Sequence, residues 1–275
     1  MKRLNDEAEN PDDPDDGEPL EMGFMDHLEE MRGVLLKCGL VFVLVMGLLA
    51  FFLGSAADVL AWPLMRAQAA HGSEMLGLVT RRPFDVFTVI LQVLFFGGFF
   101  LSLPAMLYFV AGFLAPGLTR KEKKMLLPGM VAVFFLFLFG AGFAYLVILP
   151  ITLQVAMHLN QVLGYELLWT ASDYYGLVVW VSILLGALFQ FPLILIILIY
   201  VELIRTEQLK RHRRMVFVGT LILGALIVPT GDPLTFIFIA LPMFGLYLLA
   251  IKVGEIVERR LRREREAILV EDDVV

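Results

Sequence analysis

The stretch YYGLVVWVSILLGALFQFPLILIILIY, residues 174–200, decides the fold class. It contains no Asp, Glu, Lys, Arg or His, and about 20 consecutive apolar residues are enough for a helix to cross the hydrocarbon core of a bilayer. Three runs of the same kind precede it: Gly33 to Leu53, Val86 to Leu114 and Leu126 to Leu149. Two shorter runs follow, Met215 to Val228 and Leu234 to Ile251, separated by the breaker Pro229-Thr230-Gly231-Asp232-Pro233. At 1.5 Å per residue the run Met215 to Val228 reaches only about 21 Å. That is short of a core about 30 Å thick, so the turn after it is expected at membrane depth, where polar backbone needs protein or water around it.

The rest of the chain agrees with this reading. Of 275 residues, 59% are hydrophobic and 18% charged, against roughly 25% charged in an ordinary soluble domain, and the mean hydropathy is +0.80. The formal charge of −6 misleads, because nine of the 28 acids lie between Asp6 and Glu21 and three more are Glu271, Asp272 and Asp273. Between those segments the chain is basic. Residues 1–21 have too little apolar surface to offset the entropy of ordering and are expected to be a disordered acidic tail. Their acidity also argues against a signal peptide, whose first region is basic. The expected organisation is this tail, a helical membrane domain over 22–252 and a charged segment over 253–275.

Orientation follows from the cations. Lys2, Arg3 and Arg32, the cluster 120–124, the cluster 205–214 and the segment 252–265 together hold eighteen Lys and Arg on one face. The other face has Arg66, Arg81 and Arg82, and Lys37 sits just inside the first run. The positive-inside rule then predicts six spans with both termini cytoplasmic. The two longer outer connections, 54–85 and 150–173, carry Trp62, Leu64, Leu76, Leu167 and Trp169, and are expected to fold into caps.

Most catalytic chemistry lacks its residues. There is no G-x-x-x-x-G-K-[ST] loop for a nucleotide, no G-x-S-x-G elbow and no H-E-x-x-H zinc motif among His27, His71, His158 and His212. Asp232 is the only Asp near the lipid core, whereas aspartyl chemistry needs a pair of carboxylates sharing a proton. The single cysteine, Cys38, supplies neither an internal disulfide nor a Cys-based zinc site. The chain is expected to be no enzyme, with no metal, no cofactor and no nucleic-acid partner.

Five constellations remain. Phe24, Leu28, Met31 and Leu35 share one helical stripe, and His27 with Glu30 shares another, so the segment before the first span reads as an amphipathic interfacial helix whose polar face is either solvated or used. Thr119-x-x-Glu122 fits a capping box, and the neighbouring cations also suffice to neutralise the Glu. Gln190 stands ten residues before Tyr200, roughly 15 Å into the membrane. Its amide needs either a carbonyl freed by Pro192 or a groove or polar group on another helix. Asp232 before Pro233 fits an N-cap with Pro at the first helical position. Arg211, His212, Arg213 and Arg214 read as a topology anchor against anionic lipid.

These segments also resemble one family. Phe24-Met25-Asp26-His27-Leu28-Glu29-Glu30-Met31-Arg32 is similar to the opening motif F-x-x-H-L-x-E-L-R of the TatC family, the membrane receptor subunit of the twin-arginine protein translocase. Phe113-Leu114-Ala115-Pro116-Gly117-Leu118 with Glu122-Lys123-Lys124 resembles that family's first cytoplasmic loop, and Phe189-Gln190-Phe191-Pro192 its F-[EQ]-x-P. Pro229 with Asp232, then Ala240-Leu241-Pro242-Met243, resembles T-P-P-D followed by A-[IL]-P-[ML]. Gly33 and Val34 stand where basic residues are often found, Gln190 replaces the Glu of some members, and Gly231 replaces a Pro.

The resemblance implies a receptor for twin-arginine signal peptides. With TatA/TatB-type single-span subunits and further copies of itself, it would move folded proteins across the bacterial cytoplasmic (inner) membrane on the proton-motive force. Glu30, Glu122, His27, Arg32 and Phe113 are the implied signal-peptide residues. Gln190, Asp232 and Pro63 are the implied groove or partner-helix residues, with Pro63, Phe113 and Pro104 also fitting plain packing or kink roles. Two carboxylates on one face can each take a guanidinium bidentately, a geometry lysine does not match. The rival reading is a proton-coupled secondary transporter of a small solute, which would be expected to show related halves and ionisable residues at the midplane.

Overall fold

A computed structural model describes residues 24–71, 77–165, 168–227 and 233–272. Among them the chain is all helix apart from one parallel backbone bridge between Val79 and Thr170. Helix α1 is Phe24–Leu49 and α2 is Leu53–His71, joined by a 3₁₀ turn. Helix α3 is Asp85–Leu114 and α4 is Arg120–Phe143; α4 runs through a π-helical turn, Ala144–Ile148, into α5, Leu149–Leu163. Helix α6, Ala171–Leu188, breaks before α7, Phe191–Tyr200. Helices α8, Thr206–Arg211, α9, Arg213–Ile227, and α10, Pro233–Asp272, complete the chain.

Among the described residues, five helical stretches are long and apolar enough to cross a membrane: Leu28–Ala70, Asp85–Gly117, Lys123–Leu163, Ala171–Tyr200 and Thr235–Arg263. Helix α9, with 15 residues, extends about 22 Å and matches the short fifth run. The last helix differs from expectation. Only its apolar part is short; α10 itself runs unbroken for 40 residues through the boundary drawn at 252/253. The reason is composition, since Glu and Arg make up half of residues 253–272 and are good helix formers. Its extension also has work to do: Glu258 accepts from the Thr206 N–H and hydroxyl, each at 2.7 Å, and Glu255 pairs with Lys210 at 2.5 Å, which fastens α8 to α10.

Helix α6 is the hub, packed on α3 and α4, and α1 lies outside against α3. The main core joins Leu60 and Leu64 of α2, Val93 of α3, Ile148 and Leu153, Val178 and Leu185 of α6, and Ile239 of α10. A second core ties α7, α8 and α10 through Leu195, Ile199, Leu209 and Tyr247. Burial therefore concentrates in the interior helices. By contrast, no residue of the most hydrophobic window in the stretch Leu28–Ala70 is buried inside the protein, and Leu35, Leu40, Leu44 and Leu48 are all exposed. That is the arrangement expected of a helix whose outer face meets lipid tails.

The connections 54–85 and 150–173 fold into caps in their described parts. Helix α2 packs on α5, and the two connections are joined where the Val79 N–H donates to the Trp169 carbonyl at 3.0 Å and the Ala171 N–H to the Val79 carbonyl at 2.9 Å.

Candidate functional site

Pro63 stands in the middle of α2 and is buried. Lacking an N–H, it cannot donate to the Val59 carbonyl, and its ring crowds the preceding turn. The Tyr145 hydroxyl donates to that carbonyl. One position on, the Tyr174 hydroxyl donates to the Leu60 carbonyl at 2.7 Å and accepts the Leu64 N–H at 3.3 Å, so it sits inside the i to i−4 ladder of the helix. Tyr175 donates to the Ala57 carbonyl at 3.2 Å. Around the proline, therefore, hydroxyls of three tyrosines from two other elements pair α2 carbonyls, including the one that Pro63 leaves without a helical donor. Trp62 stacks on Tyr145 at 5.6 Å, with the Arg66 guanidinium 5.1 Å from the Trp62 ring centre.

At the cation-rich end the expected signal-peptide residues come from α1, α3 and the start of α4. The two long helices are antiparallel: the Cys38 thiol lies 3.9 Å from the Met106 carbonyl, and Met46 packs against Gly98. Carried about two turns further, this register sets Glu30 level with Leu114, beside the half-buried Phe113. Glu30 is half-buried, and its Oε2 is fully shielded with no hydrogen-bond partner among the described residues. A carboxylate oxygen left in that state is costly and accepts strongly from any donor that reaches it. Arg32 is exposed.

Helix α4 starts next to this group. The Thr119 carbonyl accepts from the Lys123 N–H at 2.9 Å, which is the N-cap position anticipated for it. The side chains of His27 and Glu122 lie outside the described residues, although both positions are helical. Asp232 also lies outside them, and α10 begins at Pro233 as a first-turn proline should.

Gln190 sits in the break between α6 and α7, two residues before Pro192. Its Nε2 donates at 3.0 Å to the Val133 carbonyl of α4, so its donor goes neither to a carbonyl freed by Pro192 nor to open space. Close approach of the helices makes this reach possible. At Gly140 a Cβ would stand 2.8 Å from the Leu185 carbonyl and 2.7 Å from the Phe189 ring, and at Gly186 it would stand 2.7 Å from the Phe137 ring. The Gln190 Oε1 is buried and has no partner among the described residues. Gln190, the tyrosines around Pro63 and the Glu30 group are three separate places in the fold.

The three tyrosines and the Thr206–Glu258 pair were missed in the sequence. Tyr145 and Tyr174 read there as span residues, and only their spacing relative to a distant proline gives them a role. Among the described residues, no group of three or more His, Cys, Asp or Glu is placed to hold a metal ion.

Comparisons with known proteins converge on one family. The family model described as Sec-independent protein translocase protein (TatC) matches residues 26–242. The chain is 32% identical over 235 residues to the Sec-independent protein translocase protein TatC of Synechocystis, covering 85% of this chain and 87% of that one. It is 33% identical over 236 residues to the chloroplastic Sec-independent protein translocase protein TATC of Pisum sativum, covering 86% of this chain and 64% of that longer one. A crystal structure of the twin-arginine translocase receptor TatC superposes with a TM-score of 0.68 at 27% identity, over 84% of this chain and 99% of that one.

Proposed function

This chain belongs to the TatC family of Sec-independent protein translocase proteins, and from that premise we propose that it recognises twin-arginine signal peptides and, with TatA/TatB-type single-span subunits, moves folded proteins across the cytoplasmic membrane of a bacterium. The observation that carries the reading is the shielded Oε2 of Glu30, without a hydrogen-bond partner among the described residues and level with Phe113 and Leu114 at the cation-rich end. An arginine side chain supplies the donor that this oxygen lacks, and Glu122 at the start of α4 is positioned in sequence to take the second arginine. His27, Arg32 and Phe113 would line the same surface. Transport would draw on the proton-motive force, and further copies of the chain would assemble in the complex.

The same reading includes six spans, α9 counting as the short fifth, with both termini cytoplasmic. The cation asymmetry supports this orientation. The rival, a small-solute transporter, has no support from the comparisons or from related halves in the chain. Two experiments test the proposal. A twin-arginine precursor is expected to co-purify with the protein while its Lys-Lys version does not, and equal recovery of both would overturn signal recognition. Cysteine labelling from each side, in a Cys38→Ser background, is expected to place residues 54–85 opposite both termini; a C-terminus on the same side as 54–85 would remove the six-span topology.

A further inference from the structure

Helices α9 and α10 are antiparallel neighbours that touch at one end and part at the other. At Gly224 a Cβ would stand 3.2 Å from the Phe236 carbonyl, so the backbones nearly meet there. Toward the start of α9 a groove of about 430 Å³ opens between them, lined by Phe217 and Val218 on one side and Phe244 and Leu248 on the other, with Arg213 and Arg214 at its mouth. Phe217 and Phe244 meet edge to face at 5.1 Å and form its floor. The apolar part of α9 begins at Met215, so the two guanidinium groups stand where the membrane interface meets the groove.

The charges around this mouth are unevenly matched. Lys210 is paired with Glu255 and Glu258 is taken by Thr206, whereas Arg213 and Arg214 are exposed and form no ion pair among the described residues. Two other apolar grooves, one along Phe135 and Phe139 of α4 and Leu146 of the π-helical turn and one between Leu53, Val86 and Ile90, contain no cation in their walls. Apolar depth and unpaired positive charge coincide at the α9–α10 mouth. We infer that this groove binds an anionic phospholipid of the surrounding bilayer, its phosphate held by Arg213 and Arg214 and an acyl chain laid along Phe217, Val218, Phe244 and Leu248. Arginine suits the task because its planar fork engages phosphate bidentately, and interfacial cations are attracted to anionic headgroups.

Native mass spectrometry of the full chain, offered equal amounts of phosphatidylglycerol and phosphatidylcholine with identical acyl chains, tests the inference. One phosphatidylglycerol is expected to be retained with at least fivefold preference. Arg213→Gln with Arg214→Gln should bring that preference near unity, whereas Arg211→Gln, outside the groove wall, should leave it in place. Equal retention of the two lipids by the unaltered protein, or an unchanged preference in the double variant, would overturn it. So would displacement of the lipid by millimolar inorganic phosphate, which would mark a free-anion site. A photoreactive side chain at Val218 in the otherwise unaltered chain gives a readout that does not depend on the arginine variants folding. Crosslinking to a radiolabelled phosphatidylglycerol supports the inference, and crosslinking to a protein helix in place of lipid refutes it.

Discussion

Pro63 inside α2 and Pro192 just after the α6–α7 break each take a backbone donor out of a helix, and their surroundings answer in opposite ways. At Pro63, hydroxyls from Tyr145, Tyr174 and Tyr175 reach the α2 backbone, and the carbonyl that proline deprives of its donor is paired. Near Pro192, Gln190 sends its one bonded donor across to Val133 on α4 and keeps a buried acceptor oxygen with no partner among the described residues. The first site is closed and complete, which suits a rigid cap. The second retains hydrogen-bonding capacity between interior helices, where an unpaired group is expensive and a donor from a neighbouring helix would relieve the cost. Glu30 shares that incompleteness at the cation-rich end.

The contrast breaks most sharply if the closed site loses its hydroxyls. Tyr145→Phe combined with Tyr174→Phe leaves two carbonyls of α2 short of a donor, at about 1–3 kcal/mol for each group. Thermal unfolding in detergent is expected to show a clear fall in midpoint. An unchanged midpoint would mean that α2 heals its own ladder and that the tyrosines are incidental.

Next in size is Glu30→Ala, expected to cost precursor binding about 1.5–3 kcal/mol, the worth of a hydrogen bond to a charged group, with little change in unfolding. Site-specific crosslinking of a twin-arginine precursor reads this. Normal crosslinking in a correctly inserted variant would remove Glu30 from the signal site.

Gln190→Leu should separate stability from function. It loses the bond to Val133 and also removes the stranded oxygen, so the unfolding midpoint is expected to move by less than about 1 kcal/mol equivalent. Crosslinks to single-span partner helices during transport should weaken. Normal crosslinking and transport would make Gln190 a packing residue of the α4–α6 seam. The smallest effect is expected from Pro63→Ala, which restores an N–H able to compete with Tyr145 for the Val59 carbonyl. The regained helical bond and the displaced Tyr145 hydroxyl then oppose each other, and the change should stay within about 1 kcal/mol. A large loss would show that the proline itself is indispensable to the cap.

Much of the architecture was legible from local chemistry. Residues 174–200 could only be a span, and the folded caps were foreshadowed by Trp62 and Leu64 in a connection that a slack loop would not make so apolar. The long α10 was less legible, because a hydropathy reading stops at Ile251 whereas helix propensity and the Glu255 and Glu258 contacts continue beyond it. Glu30 and Gln190 were visible as polar residues in unusual places. Their states were not, because a hydrogen-bond partner 57 positions away, as Val133 is from Gln190, leaves no periodic trace.

The amino-acid sequence alone determined the membrane class, the helical runs, the cation asymmetry and the motifs of the TatC family, because hydrophobic length, charge placement and turn residues act over short distances along the chain. Only the tertiary structure decided that three tyrosines pair the α2 backbone around Pro63, that Gln190 reaches α4 across glycines 140 and 186, and that Arg213 and Arg214 stand at the mouth of an apolar groove. Those outcomes depend on which helix faces meet and how closely, and in a bilayer that choice is made by packing and by the demand that every polar group find a partner.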